Sequence, residues 1–336
     1  MDILVCGAQV PFMRGGAELA VENLVAALER AGHRAELVKL PTVWDREGIF
    51  DAALAWRMVP MHADLVIATN FPSYFARHPR KVVWLFHQHR NAYDGYGSAW
   101  SDFRDDPPSH EAARQLTQWD QQALGEATKI FTISGVVADR LARFNGLRGE
   151  PLYHPAPLHE RLHPGDFGDY IFCPSRLESN KRPDLMVEAM AHSTSGVRLA
   201  VAGGGSLRAA LDERIAELGI GRVELLGFVS DDDLVDRFAG ACGVVYVPRD
   251  EDYGYVTLQA FRSGKPVITT HDAGGVLEWV VDGENGFIVD PEPAAIADAI
   301  DRLVADPERT RRMGEAGRAR VEDLNWSSVV DRLTKE

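Results

Sequence analysis

A short segment in the C-terminal half places a carboxylate next to the start of a helix. Glu251 lies in a polar loop, Gly254 follows three residues later, and an amphipathic helix is predicted to begin at Tyr255. The N–H groups at the start of such a helix point at the loop and carry the positive end of the helix dipole, so they favour a phosphate. The neighbouring carboxylate can accept hydrogen bonds from hydroxyl groups. A ligand with both features is a sugar nucleotide.

Two cations follow the first predicted strand of the C-terminal half. Arg176 and Lys181 come shortly after residues 170–173, at the carboxyl end of that strand, which is where α/β proteins bind ligands. Arg offers a planar fork and Lys a point charge, and both suit the oxygens of a diphosphate. The alternative is a solvated basic turn in front of a helix.

Glycines at two other strand ends allow close contacts with a ligand. Gly15 and Gly16 open the first predicted helix, and Gly204 is the middle residue of a run of three glycines after a later strand. Neither segment has the Gly-x-Gly-x-x-Gly spacing of a dinucleotide site. Each is therefore open to two interpretations, a phosphate-binding loop or a tight strand-to-helix turn.

A buried-type strand over residues 82–86 leads into His87, His89 and Arg90, again at a carboxyl end. A zinc site is disfavoured because the two histidines lack neighbouring Cys or carboxylate ligands at suitable spacing. A histidine that only completes the strand end remains an alternative to a ligand contact.

The elements that must position these residues alternate between strands and helices, a pattern typical of parallel sheets covered by helices. Predicted strands cover residues 3–6, 35–40, 65–69, 82–86, 129–133, 170–173, 198–202, 223–226, 244–247, 267–270 and 287–289. Predicted helices, besides the one from Tyr255, cover residues 18–31, 111–124, 184–190, 207–218, 231–239, 295–305, 308–322 and 326–333. A proline-rich stretch over 154–165 separates two series, so the sequence predicts two α/β domains.

Composition fits this organisation. The chain has 336 residues, of which 45% are hydrophobic and 26% charged, which suits two globular domains. Three widely spaced cysteines in apolar runs favour a reducing compartment, and no apolar run reaches the roughly 18 residues of a membrane span. A cytoplasmic protein is therefore expected.

The net charge of −14 makes nucleic acid an unexpected partner, because most of it falls on the C-terminal half. The nearly neutral N-terminal half leaves room for peripheral contact with the inner face of a membrane. The basic residues that could make it are Arg77, Arg80, Lys81, Arg140, Arg143 and Arg148. Scattered solvated charges are the favoured interpretation of these residues.

Residues 250–261 resemble the signature of the retaining glycosyltransferases of family 4, also called glycosyl transferases group 1. In that pattern two Glu separated by seven residues flank a Gly-x-x-x-Leu core, which Glu251, Gly254 and Leu258 match. Gln259 stands where the second Glu is usual. Arg176 and Lys181 resemble the family's Arg-x-x-x-x-Lys pair. The resemblance covers nearly the whole chain.

This resemblance implies the GT-B fold, in which two Rossmann-like domains with parallel sheets face each other across a cleft. It implies an acceptor-binding domain over residues 1–160 and a sugar-nucleotide-binding domain over 161–323. The last segment, 324–336, would form a helix that crosses back to the first domain.

The resemblance also assigns roles to the residues. Glu251 and His87 would contact the donor sugar, Arg176 and Lys181 would neutralise the diphosphate, and these four form the catalytic set. The expected donor-binding residues are Gly15, Gly16, Gly204, Phe228, Val229, Gly254, Tyr255, Val256, Thr257 and Gln259. His89 and Arg90 would contact the acceptor, and no metal or other cofactor is expected. Because an amide lacks the charge of a carboxylate, Gln259 predicts weaker nucleotide binding, which Gln259→Glu should strengthen.

The implied function is a retaining glycosyltransferase that moves a hexose-type sugar from a nucleoside-diphosphate sugar to a hydroxyl of a glycan, lipid-linked or small-molecule acceptor. Its mechanism would be a metal-independent front-face displacement, and its setting polysaccharide, glycolipid or natural-product assembly. A GT-B protein that binds a sugar nucleotide without transfer is one alternative, and a sugar-nucleotide epimerase is another. A nicotinamide oxidoreductase is disfavoured because its glycine fingerprint is absent.

Overall fold

The computed structural model describes residues 1–12, 14–98 and 100–335. The chain divides into two compact units, one formed by Met1–His154 with Asn325–Glu336 and the other by Pro155–Leu324. Glu336, at the end of the predicted C-terminal segment, lies outside the described residues. Within the described part of the chain, each unit holds a six-stranded parallel sheet, so the predicted α/β class is confirmed.

The strands of the first sheet lie in the order β2-β1-β3-β4-β5-β6, and those of the second in the order β12-β11-β10-β7-β8-β9. The strands are β1 (Asp2–Gln9), β2 (Arg34–Pro41), β3 (Leu65–Ala68), β4 (Lys81–Leu85), β5 (Lys129–Thr132), β6 (Glu150–Pro151), β7 (Tyr170–Pro174), β8 (Arg198–Ala202), β9 (Val223–Gly227), β10 (Gly243–Val245), β11 (Val267–Thr270) and β12 (Gly286–Val289). Every strand pair within these sheets is parallel, so the carboxyl ends of each sheet share one edge.

Helices connect the strands in both units. They are α1 (Gly16–Arg30), α2 (Ile49–Met58), α3 (Pro107–Gly125), α4 (Gly135–Asn145), α5 (Pro183–His192), α6 (Arg208–Leu218), α7 (Asp231–Gly240), α8 (Tyr255–Arg262), α9 (Pro293–Ala305), α10 (Pro307–Arg320) and α11 (Trp326–Thr334). The central strands are mostly apolar because helices cover such sheets on both faces. In β3 and β11, for example, every residue is buried.

The last helix packs within the first unit. Asn325 caps α11 by accepting a hydrogen bond from the Ser328 N–H at 2.8 Å. Trp326 lies edge-on to Trp84 of β4 with ring centroids 6.1 Å apart. Val329, Val330 and Leu333 complete the buried face of this helix. The chain therefore returns to its first sheet after the second unit is complete.

Among the α-helices and strands of the described residues, three were not predicted. Helix α4 has a capping residue at each end that its sequence could have indicated. The Ser134 hydroxyl accepts from the Val137 N–H at 3.2 Å, and Gly146 ends the helix in the left-handed region at φ 64°. Helix α2 has no side-chain cap at Gly48, and the burial of residues such as Trp56 in the tertiary structure stabilises it. Strand β6 is two residues long, too short for any periodicity.

Two basic residues of the first unit are not solvated, contrary to the sequence interpretation. The Lys81 side chain is fully buried, and its ammonium donates to the carbonyls of Tyr74 at 3.0 Å and Ala123 at 2.8 Å. Burial lowers the pKa of Lys81 to about 8. Arg140 is 5% exposed and pairs with Asp94 at 2.9 Å. Neither residue can contact a membrane from these positions. Among the described residues, no helix is long and apolar enough to span one.

Candidate functional site

The predicted donor-site residues of the second unit lie in loops at one edge of its sheet. Loops after β7, β8, β9 and β10 carry Arg176 with Lys181, Gly204, Phe228, and Glu251 with Gly254 respectively. Because these strands are parallel and adjacent, their carboxyl ends meet at the same edge. The topology therefore gathers residues that are up to 78 positions apart in sequence.

Lys181, Tyr246 and Glu251 form a contact cluster at this edge. The Lys181 ammonium forms an ion pair with Oε2 of Glu251, and the Tyr246 hydroxyl donates to the same oxygen at 2.7 Å. The side chains of Lys181 and Glu251 are 12% and 19% exposed. Burial opposes ionisation of Glu251, but the Lys181 charge and the two hydrogen bonds outweigh it and lower its pKa. Glu251 is therefore an ionised acceptor at neutral pH.

Hydrogen bonds join the backbone of Glu251 to the loop after β11. Its N–H donates to the Ala273 carbonyl at 3.2 Å, and its own carbonyl accepts from the Gly275 N–H at 2.7 Å. Gly274 adopts φ 65°, and a Cβ at that position would lie 2.6 Å from the Glu251 carbonyl oxygen. The close approach requires glycine, because any side chain would push the two loops apart.

Arg182 fixes the backbone just before Glu251, and the sequence interpretation gave it no role. Its Nε donates to the Val247 carbonyl at 2.7 Å, and one Nη donates to the Pro248 carbonyl at 2.9 Å. The guanidinium also forks onto both oxygens of Asp272 at 2.8 Å. Arg182 is 9% exposed and has the positive φ of 50°. The sequence feature that could have identified Arg182 is its position directly before Pro183, the first residue of α5. From sequence alone, however, an Arg beside a charged turn is expected to be solvated.

Helix α8 starts directly behind the Glu251 loop. Gly254 caps it at φ 84°, and a Cβ there would lie 2.7 Å from Cγ2 of Val276. The Thr257 N–H donates to the Gly254 carbonyl at 3.0 Å, so this first-turn amide is already bonded within the protein. Thr257 is fully buried, and its hydroxyl has no hydrogen-bond partner among the described residues.

The loop with Arg176 is packed against the glycine run after β8. The Leu177 N–H donates to the Gly204 carbonyl at 2.9 Å, and the Glu178 carboxylate accepts from the Ser206 hydroxyl at 2.7 Å. A Cβ at Gly203 would lie 2.1 Å from the Ser175 carbonyl oxygen, whereas one at Gly204 would meet open space. In the part of the chain that the structure describes, the exposed Arg176 side chain makes no hydrogen bond or ion pair.

Phe228 and Val229 follow β9 at the same edge. Phe228 is 92% exposed, and Val229 is half-buried. The Gly227 carbonyl before them accepts from the Gly203 N–H at 2.8 Å, which joins this turn to the glycine run. An exposed Phe at this position offers an aromatic face to a ligand.

Gln259 is a buried residue of α8, four positions after the helix begins at Tyr255. It is 7% exposed, and its Nε2 donates to the Pro157 carbonyl at 3.2 Å. Pro157 belongs to the proline-rich stretch that begins the second unit. The amide nitrogen is thus already bonded within the protein.

In the first unit, His87 and His89 differ in environment. His87 is half-buried at the end of β4, with Nδ1 2.8 Å from the Gln88 carbonyl oxygen. His89 is 3% exposed, and burial lowers its pKa to about 4. The rings of Trp44 and Phe71 lie 5.8 Å and 5.3 Å from its own. His89 is therefore a neutral core group, which does not suit direct contact with an acceptor.

The remaining predicted residues of the first unit lie in its loops. Arg90 pairs with Asp94 at 2.9 Å. Gly15 caps α1, and its N–H donates to the Glu18 carboxylate at 2.9 Å, while Gly16 is exposed. The amide that the glycine loop was expected to offer to a phosphate is thus satisfied by Glu18 in this structure.

Residues 161–320 match the family model described as glycosyl transferases group 1. The chain is 33% identical over 183 residues to the GDP-mannose-dependent alpha-(1-6)-phosphatidylinositol monomannoside mannosyltransferase of Mycolicibacterium smegmatis. The aligned region covers 51% of this chain and 47% of that protein. Matches with this and other curated relatives span 31–50% of those proteins' lengths.

Two solved structures resemble the whole chain. Sucrose-phosphate synthase from Thermosynechococcus elongatus superposes with a TM-score of 0.79 at 20% identity, covering 99% of this chain and 97% of that one. Anabaena HepE in complex with UDP-glucose gives a TM-score of 0.75 at 18% identity, with 99% and 98% covered. At such identities the likeness shows the fold, and the predicted GT-B class is confirmed.

Proposed function

We propose, from the match of residues 161–320 to the glycosyl transferases group 1 family model, that the protein is a retaining glycosyltransferase. It would transfer a hexose-type sugar from a nucleoside-diphosphate sugar to a hydroxyl group of a glycan, lipid-linked or small-molecule acceptor. The observation that carries the proposal is the Lys181–Glu251–Tyr246 cluster in front of α8. It combines an ionised hydroxyl acceptor, a cation and a helix N-terminus.

The charges of this cluster suit the two halves of a sugar nucleotide. Glu251 is ionised, so it can only accept hydrogen bonds, and sugar hydroxyls can supply them. A bond from a hydroxyl to a carboxylate is roughly twice as strong as one between neutral groups. The Tyr246 hydroxyl holds the Glu251 carboxylate in a fixed orientation at 2.7 Å, which lowers the cost of ordering it around the sugar.

The diphosphate half would meet Arg176, Lys181 and the start of α8. The bond between the anomeric carbon and the phosphate oxygen breaks in the reaction, and its electron pair stays on the diphosphate. Cations placed at the leaving oxygens stabilise that developing charge. Arg176 is exposed and makes no ion pair within the described chain, so a phosphate can engage it without first breaking another contact.

Retention would follow from a front-face displacement. The acceptor oxygen forms its bond to the anomeric carbon on the face that the diphosphate leaves, and the acceptor proton passes to the leaving phosphate oxygen. Such a reaction needs positioning and charge stabilisation rather than an enzyme nucleophile. Because cationic side chains and helix amides can neutralise the diphosphate, we expect transfer without a divalent metal. His87 is the first unit's candidate for contact with the sugar.

The names of similar proteins suggest which donors to test, and the cysteines suggest the cellular compartment. The relative's name specifies GDP-mannose, and HepE was solved with UDP-glucose, so these two donors are the first to test. The three cysteines, Cys6, Cys173 and Cys242, are free and buried, which fits a reducing cytoplasmic setting.

The test combines thermal shift with release of nucleoside diphosphate, using GDP-mannose, UDP-glucose, ADP-glucose and dTDP-glucose with and without EDTA. Stabilisation by one donor and slow EDTA-resistant release are expected. Glu251→Gln should slow the release about 100-fold, whereas Glu284→Gln, which makes the same change on an exposed loop, should leave it unchanged. Binding without release, even with a mixture of sugar acceptors, would favour the non-catalytic alternative. Conversion of the donor to its epimer would favour the epimerase, and no binding of any donor would refute the proposal.

A further inference from the structure

We infer that Gln259 is a positioning residue that ties helix α8 to residues 155–162, the stretch with which the second unit begins. Its Nε2 donates to the Pro157 carbonyl at 3.2 Å, and the side chain is 7% exposed. A buried carbonyl must find a donor, because leaving it without one costs free energy. Gln259 supplies that donor from the middle of the helix.

A second side chain of α8 makes the same kind of contact. Arg262 lies three residues after Gln259, on the same face of the helix, and its Nε donates to the His159 carbonyl at 3.1 Å. The stretch itself forms a turn, in which Leu158 adopts φ 64° and the Leu162 N–H donates to the Leu158 carbonyl at 3.0 Å. Two side chains of one helix face therefore hold the backbone carbonyls of one turn.

The chemistry of this contact explains why an amide suits position 259. A carbonyl oxygen accepts hydrogen bonds and cannot donate them, so its partner must carry a hydrogen. A carboxylate has none and would place a negative oxygen against the carbonyl dipole in a buried site. The structure therefore reverses the expectation from sequence, in which Gln259→Glu would improve the site.

The tie lies close to the proposed donor site. Gln259 is little more than one turn after Gly254 and Tyr255, where the helix begins. A helix held at its middle keeps its first-turn amides in one orientation. This consequence for ligand binding rests on the proposed function, whereas the tie itself does not.

The experiment compares Gln259→Glu and Gln259→Met with wild type, each at pH 8.0 and pH 5.5. Gln259→Met keeps the length of the side chain without its donor. The matched control is Gln118→Glu, the same change at an exposed position of α3. The readouts are the unfolding midpoint and hydrogen–deuterium exchange of the amides in residues 155–162. The affinity for GDP and UDP is measured in parallel.

At pH 8.0 we expect Gln259→Glu to lower the unfolding midpoint by about 3 to 8 °C and to speed exchange in residues 155–162 severalfold. At pH 5.5 most of this loss should be recovered. The buried carboxyl beside a carbonyl has a raised pKa, so it binds a proton on acidification and its O–H replaces the lost donor. Gln259→Met should lose stability equally at both pH values, because it has nothing to protonate.

The inference is overturned if Gln259→Glu is as stable as wild type at pH 8.0, or if its deficit does not shrink at pH 5.5. A gain in nucleoside diphosphate affinity in Gln259→Glu would instead make Gln259 a weak substitute for a ribose-binding carboxylate. An equal loss in Gln118→Glu would show a general charge effect and refute the tie. If wild type binds no nucleotide, the proposed function fails, while the unfolding and exchange data still decide the role of Gln259.

Discussion

Arg182→Lys tests whether a buried guanidinium organises the loop that carries Glu251. The change keeps the positive charge and removes the planar fork. Arg182 donates to Val247 and Pro248, to the Thr270 hydroxyl at 2.8 Å, and to both oxygens of Asp272. A lysine has a single nitrogen with three donors, so it cannot reach acceptors on every side of the pocket.

The expected loss is about 3 kcal/mol in the free energy of unfolding of the second unit. Leaving a buried carbonyl without its partner costs roughly 1–3 kcal/mol, and Arg182 is the donor to two such carbonyls. The ion pair with Asp272 adds less than a fully buried pair would, because the Asp272 side chain is 36% exposed. Because the lysine would keep part of the attraction to Asp272, the expected loss in the free energy of unfolding lies near the lower end of the sum of these costs. Burial opposes ionisation of Asp272, but the hydrogen bonds from Arg182 and Thr270 lower its pKa, so the partner is charged at neutral pH.

Urea unfolding at pH 7.5 measures this loss, and a shift of the midpoint by about 1.5 M is expected for a typical m-value of about 2 kcal/mol/M. Arg198→Lys is the matched control, because Arg198 pairs with Asp169 through side chains that are 55% and 78% exposed. An exposed pair contributes little, so the control should change by less than about 0.5 kcal/mol. If Arg182→Lys loses no more than Arg198→Lys, Arg182 does not hold the loop and the reasoning from its contacts is refuted.

Three further predictions concern other sites. Glu251→Gln should lower the turnover of a donor about 100-fold in a nucleoside diphosphate release assay, with Glu284→Gln unchanged; equal activities would remove Glu251 from the mechanism. Gly274→Ala should cost at least about 2 kcal/mol more than Gly283→Ala in urea unfolding, because both have positive φ but only Gly274 faces the Glu251 carbonyl at 2.6 Å; equal costs would contradict the close contact. Burial raises the pKa of Asp120 to about 7, so folding stability should fall as pH rises from about 4 to 7, and Asp120→Asn should lose that slope; an unchanged slope would assign it to other groups.

Much of the fold could be predicted because strands and helices of α/β proteins leave strong local patterns. The strand over residues 198–202 and the strand over 267–270 were predicted with the observed bounds. Helix α2 was missed because its ten residues are mostly apolar on all sides, so no face stands out, and its start has no side-chain cap. The burial that stabilises it comes from distant residues, which a local pattern does not contain.

The candidate site residues show the same difference between local patterns, which could be predicted, and contacts with distant residues, which could not. The place of Glu251 before a helix and of Lys181 after a strand could be predicted, since both are local patterns at strand ends. Their direct contact could not, because it depends on the register between loops after β7 and β10. Arg182 was missed for a related reason, as each of its partners lies at least 65 positions away. His89 shows the opposite error, because a histidine at a strand end resembles a ligand contact until its burial is known.

The contact between Lys181 and Glu251 also changes how the charge of the site is counted. In sequence, Arg176 and Lys181 appear as two cations for one diphosphate. In the structure the charge of Lys181 is balanced by Glu251, so Arg176 is the member of the pair with unbalanced charge at the exposed edge. If the proposed function holds, a free nucleoside diphosphate must therefore compete with Glu251 for Lys181. A sugar nucleotide can compensate, because its hydroxyl groups donate to the Glu251 carboxylate when Lys181 turns to the phosphate. Under the proposed function, the ion pair thus gives the site a physical reason to favour a sugar nucleotide over the free nucleoside diphosphate.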